Sequence, residues 1–311
     1  MNGFTVIRRA EAVIDGLGAP FSMRELLGYP LRKAEAQLAK NASWPVLSLP
    51  MTVGAAYGLE EATRVELGTA SLLLYGFADV TDDAQDGDLR GDWGWQRAVN
   101  AGNALAFLGS EVLAALPLAP EIRLELADSY ARAGRRMTFG QEGDLLARYP
   151  HVPTVDEYLR MVAGKSGASA AFFTSCGAIA AGRPAAEVEA LASFGEALGV
   201  YVQILSDLAD YSGEAGTDHQ NQQVTLPLIV ALSQASADDA RLRKAIADPR
   251  RAPELAQLLR ELGADAYCRM RAQIYRRKAL QVLEGLDLPL STKRDLAGFF
   301  EVLASEKTLE I

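Results

Sequence analysis

An all-α fold is predicted by three features of the chain. Apolar residues recur at helical spacing along most of its 311 residues, strand-like alternation is hard to find, and Ala, Leu, Glu and Arg are abundant. The Pro and Gly residues stand singly or at segment ends, with no linker, charge block or solenoid-length repeat between them. The economical architecture is one domain spanning 1–311, a bundle of about a dozen helices around a central apolar cavity.

The periodicity predicts helices over 5–15, 22–40, 44–57, 60–86, 95–115, 119–148, 154–181, 184–213, 224–233, 237–247, 253–263, 265–284 and 291–306. The fourth rests on the apolar run from Leu72 to Phe77. Thr154 and Glu157 form a capping box for the helix that opens there. Its second half, from Gly167 to Gly182, is apolar and rich in small residues. It is too short for a membrane span and reads as a buried helix packed closely on its neighbours. Gly182 closes that helix and Pro184 suits the first turn of the next, whose apolar run is Val200 to Leu205. Ser291, after Pro289, can cap the last helix.

Composition excludes several functions. A net charge of −9 without a basic stripe argues against nucleic acid as a partner. The cysteines, Cys176 and Cys268, lack metal-ligand spacing. With His151 and His219 as the only histidines, neither a His-based triad nor a zinc site is expected. The N-terminus has no apolar signal core, so a cytoplasmic protein without a transmembrane segment is expected.

Two acidic clusters carry the chemistry. Asp79, Asp82, Asp83 and Asp86 recur at i, i+3, i+4 and i+7 and are expected on one helix face. Ser206, Asp207, Asp210 and Glu214 form the second cluster, stacked along one face if the helix persists through Gly213. Carboxylates that follow apolar runs are costly to desolvate unless a cation neutralises them. Two such clusters facing each other suit Mg²⁺, which takes carboxylate oxygens and shares its shell with phosphates. Asp82 and Asp86 are therefore expected to bind Mg²⁺ and a diphosphate.

In order and spacing, several segments resemble the all-α class I isoprenoid synthases of the trans-polyprenyl synthetase type. Asp82-Asp83-Ala84-Gln85-Asp86 is similar to the first aspartate-rich motif, and Asp88-Leu89-Arg90-Gly91 to the basic turn after it. Gly140-Gln141-Glu142-Gly143-Asp144-Leu145 resembles the GQxxDL signature, and Lys165-Ser166 the diphosphate-binding Lys-Thr pair. Val202 to Asp210 resembles the second aspartate-rich motif, and Val224 to Leu228 the TLP segment. The resemblance implies catalytic roles for Asp82, Asp83, Asp86, Asp207 and Lys165. It implies Mg²⁺ on Asp82, Asp86, Ser206, Asp207, Asp210 and Glu214. It places Arg90, Lys165, Gln141 and Gln203 at an allylic prenyl diphosphate, with Phe77, Trp44 and Tyr75 lining the prenyl cavity. A homodimer is expected.

Departures from the pattern bear on the acceptor. Where ordinary synthases seat isopentenyl diphosphate on a GGKRxRP-like segment and a His, this chain has Asn41, Ala42, Trp44 and Tyr75, with Lys40 one residue early. Gln223 stands where another diphosphate-contacting Lys is expected, leaving Lys165, Arg90 and Arg97 as cations. Ser206 replaces an Asp, and the Ser206/Asp210/Glu214 spacing resembles the metal motif of terpene cyclases. Four readings stay open: transfer to an acceptor other than isopentenyl diphosphate (a peptide, as in bacterial competence-pheromone tryptophan prenyltransferases, or a small molecule), a terpene cyclase, an ordinary polyprenyl diphosphate synthase, and a non-catalytic partner subunit. Phe77 reads as cavity floor or plain core, Trp44 as cation-facing or packing, and Trp93 and Trp95 as helix packing.

Overall fold

The computed structural model describes residues 3–40, 44–89, 93–211, 216–236 and 239–308. Its helices are α1 (Gly3–Gly16), α2 (Phe21–Leu27), α3 (Tyr29–Lys40), α4 (Pro45–Ala56), α5 (Glu61–Asp86), α6 (Trp95–Ala114), α7 (Pro120–Leu146), α8 (Val155–Val162), α9 (Ala168–Ala180), α10 (Ala185–Ala209), α11 (Thr217–Gln220), α12 (Leu226–Gln234), α13 (Ala240–Ala247), α14 (Ala252–Glu261), α15 (Ala264–Gly285) and α16 (Leu290–Thr308). A π-helical turn over Ala163–Gly167 joins α8 to α9, and a 3₁₀ turn over Pro249–Arg251 precedes α14. Among the described residues no strand forms; one isolated antiparallel bridge pairs Arg148 with Gln223.

The helix ends follow local chemistry. Thr154 accepts the Glu157 N–H, and the Glu157 carboxylate takes the Thr154 N–H, completing the expected capping box. The expected helix over 22–40 is divided at Gly28, because Pro30 has no N–H to continue α2. The expected run over 184–213 stops at Ala209, with Asp210 as the C-cap of α10, and its positions 212 and 213 lie outside the described residues. Gly87, at a φ of 81°, ends α5 immediately after Asp86.

α9 is the inner element of the bundle. It is buried along its length from Ala170 to Ala180 and packs on α4, α5, α7 and α10. Small residues set these spacings. A Cβ on Gly195 of α10 would lie 2.2 Å from the Ala170 carbonyl oxygen and from Thr174 Oγ1 of α9. The Thr174 hydroxyl also donates across the same crossing to the Leu191 carbonyl at 2.8 Å. α10 is the one helix among the described residues long and apolar enough to cross a bilayer. Here half of its apolar window is buried, packed on α9 and α15.

Gly195→Ala forces α10 away from α9. It is expected to cost roughly 1–3 kcal/mol through overpacking. A urea titration reads this as a lower midpoint, and an unchanged midpoint would show that the crossing can open freely.

Candidate active site

The aspartates in the C-terminal half of α5 share the helical stripe expected from the spacing, and different neighbours claim its two edges. Asp83 Oδ2 accepts hydrogen bonds from Tyr29 Oη at 2.6 Å and Lys33 Nζ at 2.9 Å. Asp79 Oδ1, on the same side, accepts from Lys33 Nζ and Tyr75 Oη, both at 2.8 Å. Asp82 and Asp86 turn the other way. Lys165 Nζ lies 2.9 Å from Asp82 Oδ1, and Arg148 Nη2 lies 3.2 Å from Asp86 Oδ1. The split follows from helix geometry. Positions four apart nearly superpose, whereas the adjacent Asp82 and Asp83 lie about 100° apart, so Asp79 and Asp83 hold one edge of the stripe and Asp82 and Asp86 the other.

Lys165 is aimed by the π-helical turn. The inserted residue rotates the side chain out of the α8–α9 register and toward α5 and α7. Gly140 of α7 permits this, since a Cβ there would lie 2.1 Å from the Lys165 backbone nitrogen. The ammonium lies 2.6 Å from Asp144 Oδ2 as well as beside Asp82. Those two carboxylates hold it charged against the cost of burial.

The second cluster is more enclosed. Asp207 is 4% exposed, and both its oxygens are engaged, Oδ2 by Tyr158 Oη at 2.6 Å and Oδ1 by Gln203 Nε2 at 2.7 Å. Asp210 Oδ2 accepts the Asp218 backbone N–H at 3.1 Å, so this carboxylate ties the end of α10 to α11. Ser206 lies beside Asp207 on α10. Gln223 Nε2 donates to both the carbonyl and, at 3.0 Å, Oδ1 of Asp144, which ties the segment before α12 to the end of α7. Arg90 and Glu214 lie outside the described residues, as do Asn41 and Ala42.

A cavity of about 660 Å³ opens beside these groups. Asp82, Lys165, Gln141, Gln203, Phe77, Trp44 and Tyr75 line it together with Asp79, Met137, Phe173 and Val202. Asp83, Asp86, Asp207 and Asp210 do not line it. Trp44 meets Tyr75 edge-on at 4.9 Å between ring centroids. Trp93 packs edge-on against Tyr29, whereas Trp95 is 60% exposed rather than packed.

The donor set fits Mg²⁺. Asp82, Asp86, Asp144, Asp207, Asp210 and Asp218 feel one another's charge, with Lys165 and Arg148 as the cations among them. Burial, then Asp82, pushes Asp86 up to about 6. Burial, then Asp207, Asp210 and Asp144, holds Asp218 well above the usual carboxylate range. Hard oxygen donors in excess of fixed cations are what this ion takes. In the structure these oxygens are spread over Lys165, Arg148 and Tyr158, so no three acidic, His or Cys side chains among the described residues gather round one point.

Sequence reasoning missed Lys33, Arg148, Tyr158 and Asp218, which carry no local motif and reach the site through distant packing. Gln223 and Asp144 were visible within their motifs, but their mutual contact was not.

Lys165→Met leaves Asp82 and Asp144 facing each other in a half-closed site. It is expected to lower stability by about 3 kcal/mol, the cost of breaking a buried pair. Thermal unfolding checks this, and an unaltered melting temperature would mean that the carboxylates do not need the lysine.

The sequence profile of the polyprenyl synthetase family matches residues 79–262, more than half of the chain. The chain is 29% identical over 182 residues to a nonaprenyl diphosphate synthase of Mycobacterium tuberculosis, covering 55% of this chain and 52% of that protein. It thus spans about half the length of that relative. A geranylgeranyl diphosphate synthase of the same organism is 29% identical over 238 residues, 69% of this chain and 68% of that protein. The crystal structure of a polyprenyl synthetase from Streptomyces coelicolor superposes with a TM-score of 0.83 over 97% of both chains, at 21% identity, a likeness of fold. Family profile and fold agree, and the chain belongs to the polyprenyl synthetase family.

Proposed function

We propose that the protein ionises an allylic prenyl diphosphate with Mg²⁺ and passes the prenyl group to an acceptor other than isopentenyl diphosphate. The carrying observation is the charge of the cavity wall. Lys165 is the one Lys or Arg among the described residues that line the cavity, and the wall beyond Phe77 presents Trp44, Tyr75 and the carboxylate of Asp79. One diphosphate can be matched by Lys165 and metal held on Asp82 and Asp86. A second finds no further fixed cation among the described lining residues to offset its desolvation.

Mg²⁺, when bound, supplies Lewis-acid charge to the departing diphosphate. Asp82 and Asp86 on α5, with Ser206, Asp207 and Asp210 on the facing cluster, are the residues that would hold it. Gln203 orients Asp207, and Gln141 and Lys165 contact the diphosphate oxygens. The apolar lining keeps water from the allylic cation, and the faces of Trp44, Tyr75 and Phe77 stabilise its charge. Phe107 and Phe139, 71% and 70% exposed on α6 and α7, support the homodimer as part of this reading.

A second reading, ordinary chain elongation, is favoured by the relatives, whose names are those of prenyl diphosphate synthases. Incubation with Mg²⁺ and allylic diphosphates of increasing length, with and without isopentenyl diphosphate, separates the two. Released diphosphate with prenyl alcohol, transferred or cyclised product supports the proposal, with a cyclised hydrocarbon marking the terpene cyclase branch. Efficient synthesis of a longer linear diphosphate establishes elongation instead. Absence of diphosphate release would leave the non-catalytic subunit as the reading.

Asp82→Ala is expected to lower diphosphate release by about a hundredfold or more. Near-wild-type release in that variant sinks the assignment. The Mg²⁺ requirement should also follow pH. Asp86 stands at about 6, above the ordinary aspartate value, so below that pH the ion must displace a proton to bind it. The apparent Mg²⁺ affinity therefore falls about tenfold per pH unit below 6 and flattens above 7. A magnesium titration across pH 5 to 8 with no such slope would remove Asp86 from the ligand set.

A further inference from the structure

Asp79 is the one carboxylate in the cavity wall on the Lys33 face of α5. Its side chain is 8% exposed. Both of its donors, Lys33 Nζ and Tyr75 Oη, go to Oδ1, each at 2.8 Å. Oδ2 is buried and has no hydrogen-bond partner among the described residues. A carboxylate kept only for an ion pair would engage both oxygens, because a buried lone acceptor costs about 1–3 kcal/mol. Lys33 is also shared with Asp83, so one cation serves two carboxylates and the cluster keeps a net negative charge.

The surroundings define what this oxygen could receive. Tyr75 packs against Trp44, and both line the cavity with Phe77, so the wall beside Asp79 is aromatic. An anionic acceptor would be repelled there. A flat apolar acceptor carrying an O–H or N–H would bury its ring against Trp44 and Tyr75 and satisfy the orphan oxygen. A half-turn of the carboxyl group exchanges the two oxygens, so either can meet the ligand.

We propose that Asp79 binds the acceptor, an aromatic compound with an O–H or N–H group, and receives its proton during transfer. This rests on the reading that the acceptor is not a second diphosphate. In the step, the C1–O bond of the allylic diphosphate breaks and its electron pair leaves with the diphosphate. The lone pair of the acceptor's oxygen or nitrogen forms the new bond to C1. The proton from that atom passes to the Asp79 carboxylate, and no oxidant or reductant takes part.

The test uses the full chain with Mg²⁺, geranyl diphosphate and 1-naphthol as the acceptor probe. Wild-type protein forms geranyl naphthyl ether alongside geraniol from hydrolysis. Asp79→Asn retains a hydrogen-bond acceptor but takes up a proton poorly, and lowers the ether-to-geraniol ratio at least tenfold. Asp79→Glu, which restores the carboxylate, recovers part of the ratio. Thermal melts of both variants establish that they fold, and if Asp79→Asn does not, the Glu variant and Tyr75→Phe carry the comparison. An unchanged ratio in Asp79→Asn overturns the inference, as does wild-type protein that yields geraniol but no ether. Wild-type protein that releases no diphosphate, or that only elongates with isopentenyl diphosphate, overturns the reading of the reaction itself and this inference with it.

Discussion

The pairing of Lys165 with Asp82 and Asp144 is the contact on which the site depends. It joins α5, α7 and the turn between α8 and α9 at one ammonium. Asp82, Asp86, Asp144, Asp207 and Asp218 feel its charge, several of them displaced from their ordinary titration by burial and by one another. Such a cluster is tolerable only because a cation sits inside it. The backbone pays respect to this need before any side chain does: the π-helical insertion and the absence of a Cβ at Gly140 both serve to bring Lys165 across.

Much of this was legible in the sequence, for reasons that can be assigned residue by residue. The Thr154–Glu157 capping box and the small-residue run of α9 are local signals, and each appears where the sequence placed it, whereas the helix expected over 22–40 is divided at Gly28 and that over 154–181 is interrupted by a π-helical turn. Asp82, Lys165, Gln141, Gln203, Phe77, Trp44 and Tyr75 meet in one cavity because the motifs that contain them lie on helices that must face inward. What spacing could not reveal was which neighbour claims each carboxylate. Lys33 takes Asp79 and Asp83 from α3, and Arg148 takes Asp86 from the loop after α7, across separations that leave no trace in a helical repeat. The end of α10 was misjudged for a related reason. Its acidic residues look periodic through Glu214, but Asp210 turns to brace the backbone of Asp218 instead of extending the helix.

The two edges of the α5 stripe would serve the proposed reaction in different ways. One face carries Asp82 and Asp86 toward Lys165 and Arg148, the side suited to a metal-bound diphosphate. The other carries Asp79 and Asp83 toward Lys33 and the tyrosines, on the side of Trp44. In the proposed reaction one edge of the stripe would hold the leaving diphosphate and the other would meet the acceptor. Substitutions on the two faces are separable, since the faces share no hydrogen-bond partner among those observed.

α5 stops at Gly87, one residue after Asp86, and α10 stops at Asp210, three after Asp207. Both acidic clusters therefore occupy the last turns of their helices, where the peptide dipoles converge on a negative end and the final carbonyls lack intrahelical partners. A designer seeking helix stability would put lysine there. Two helix termini of the same sign, each loaded with carboxylates, make the site a sink for positive charge through the backbone as well as the side chains. A divalent ion held between them would meet the helix ends as well as the carboxylates.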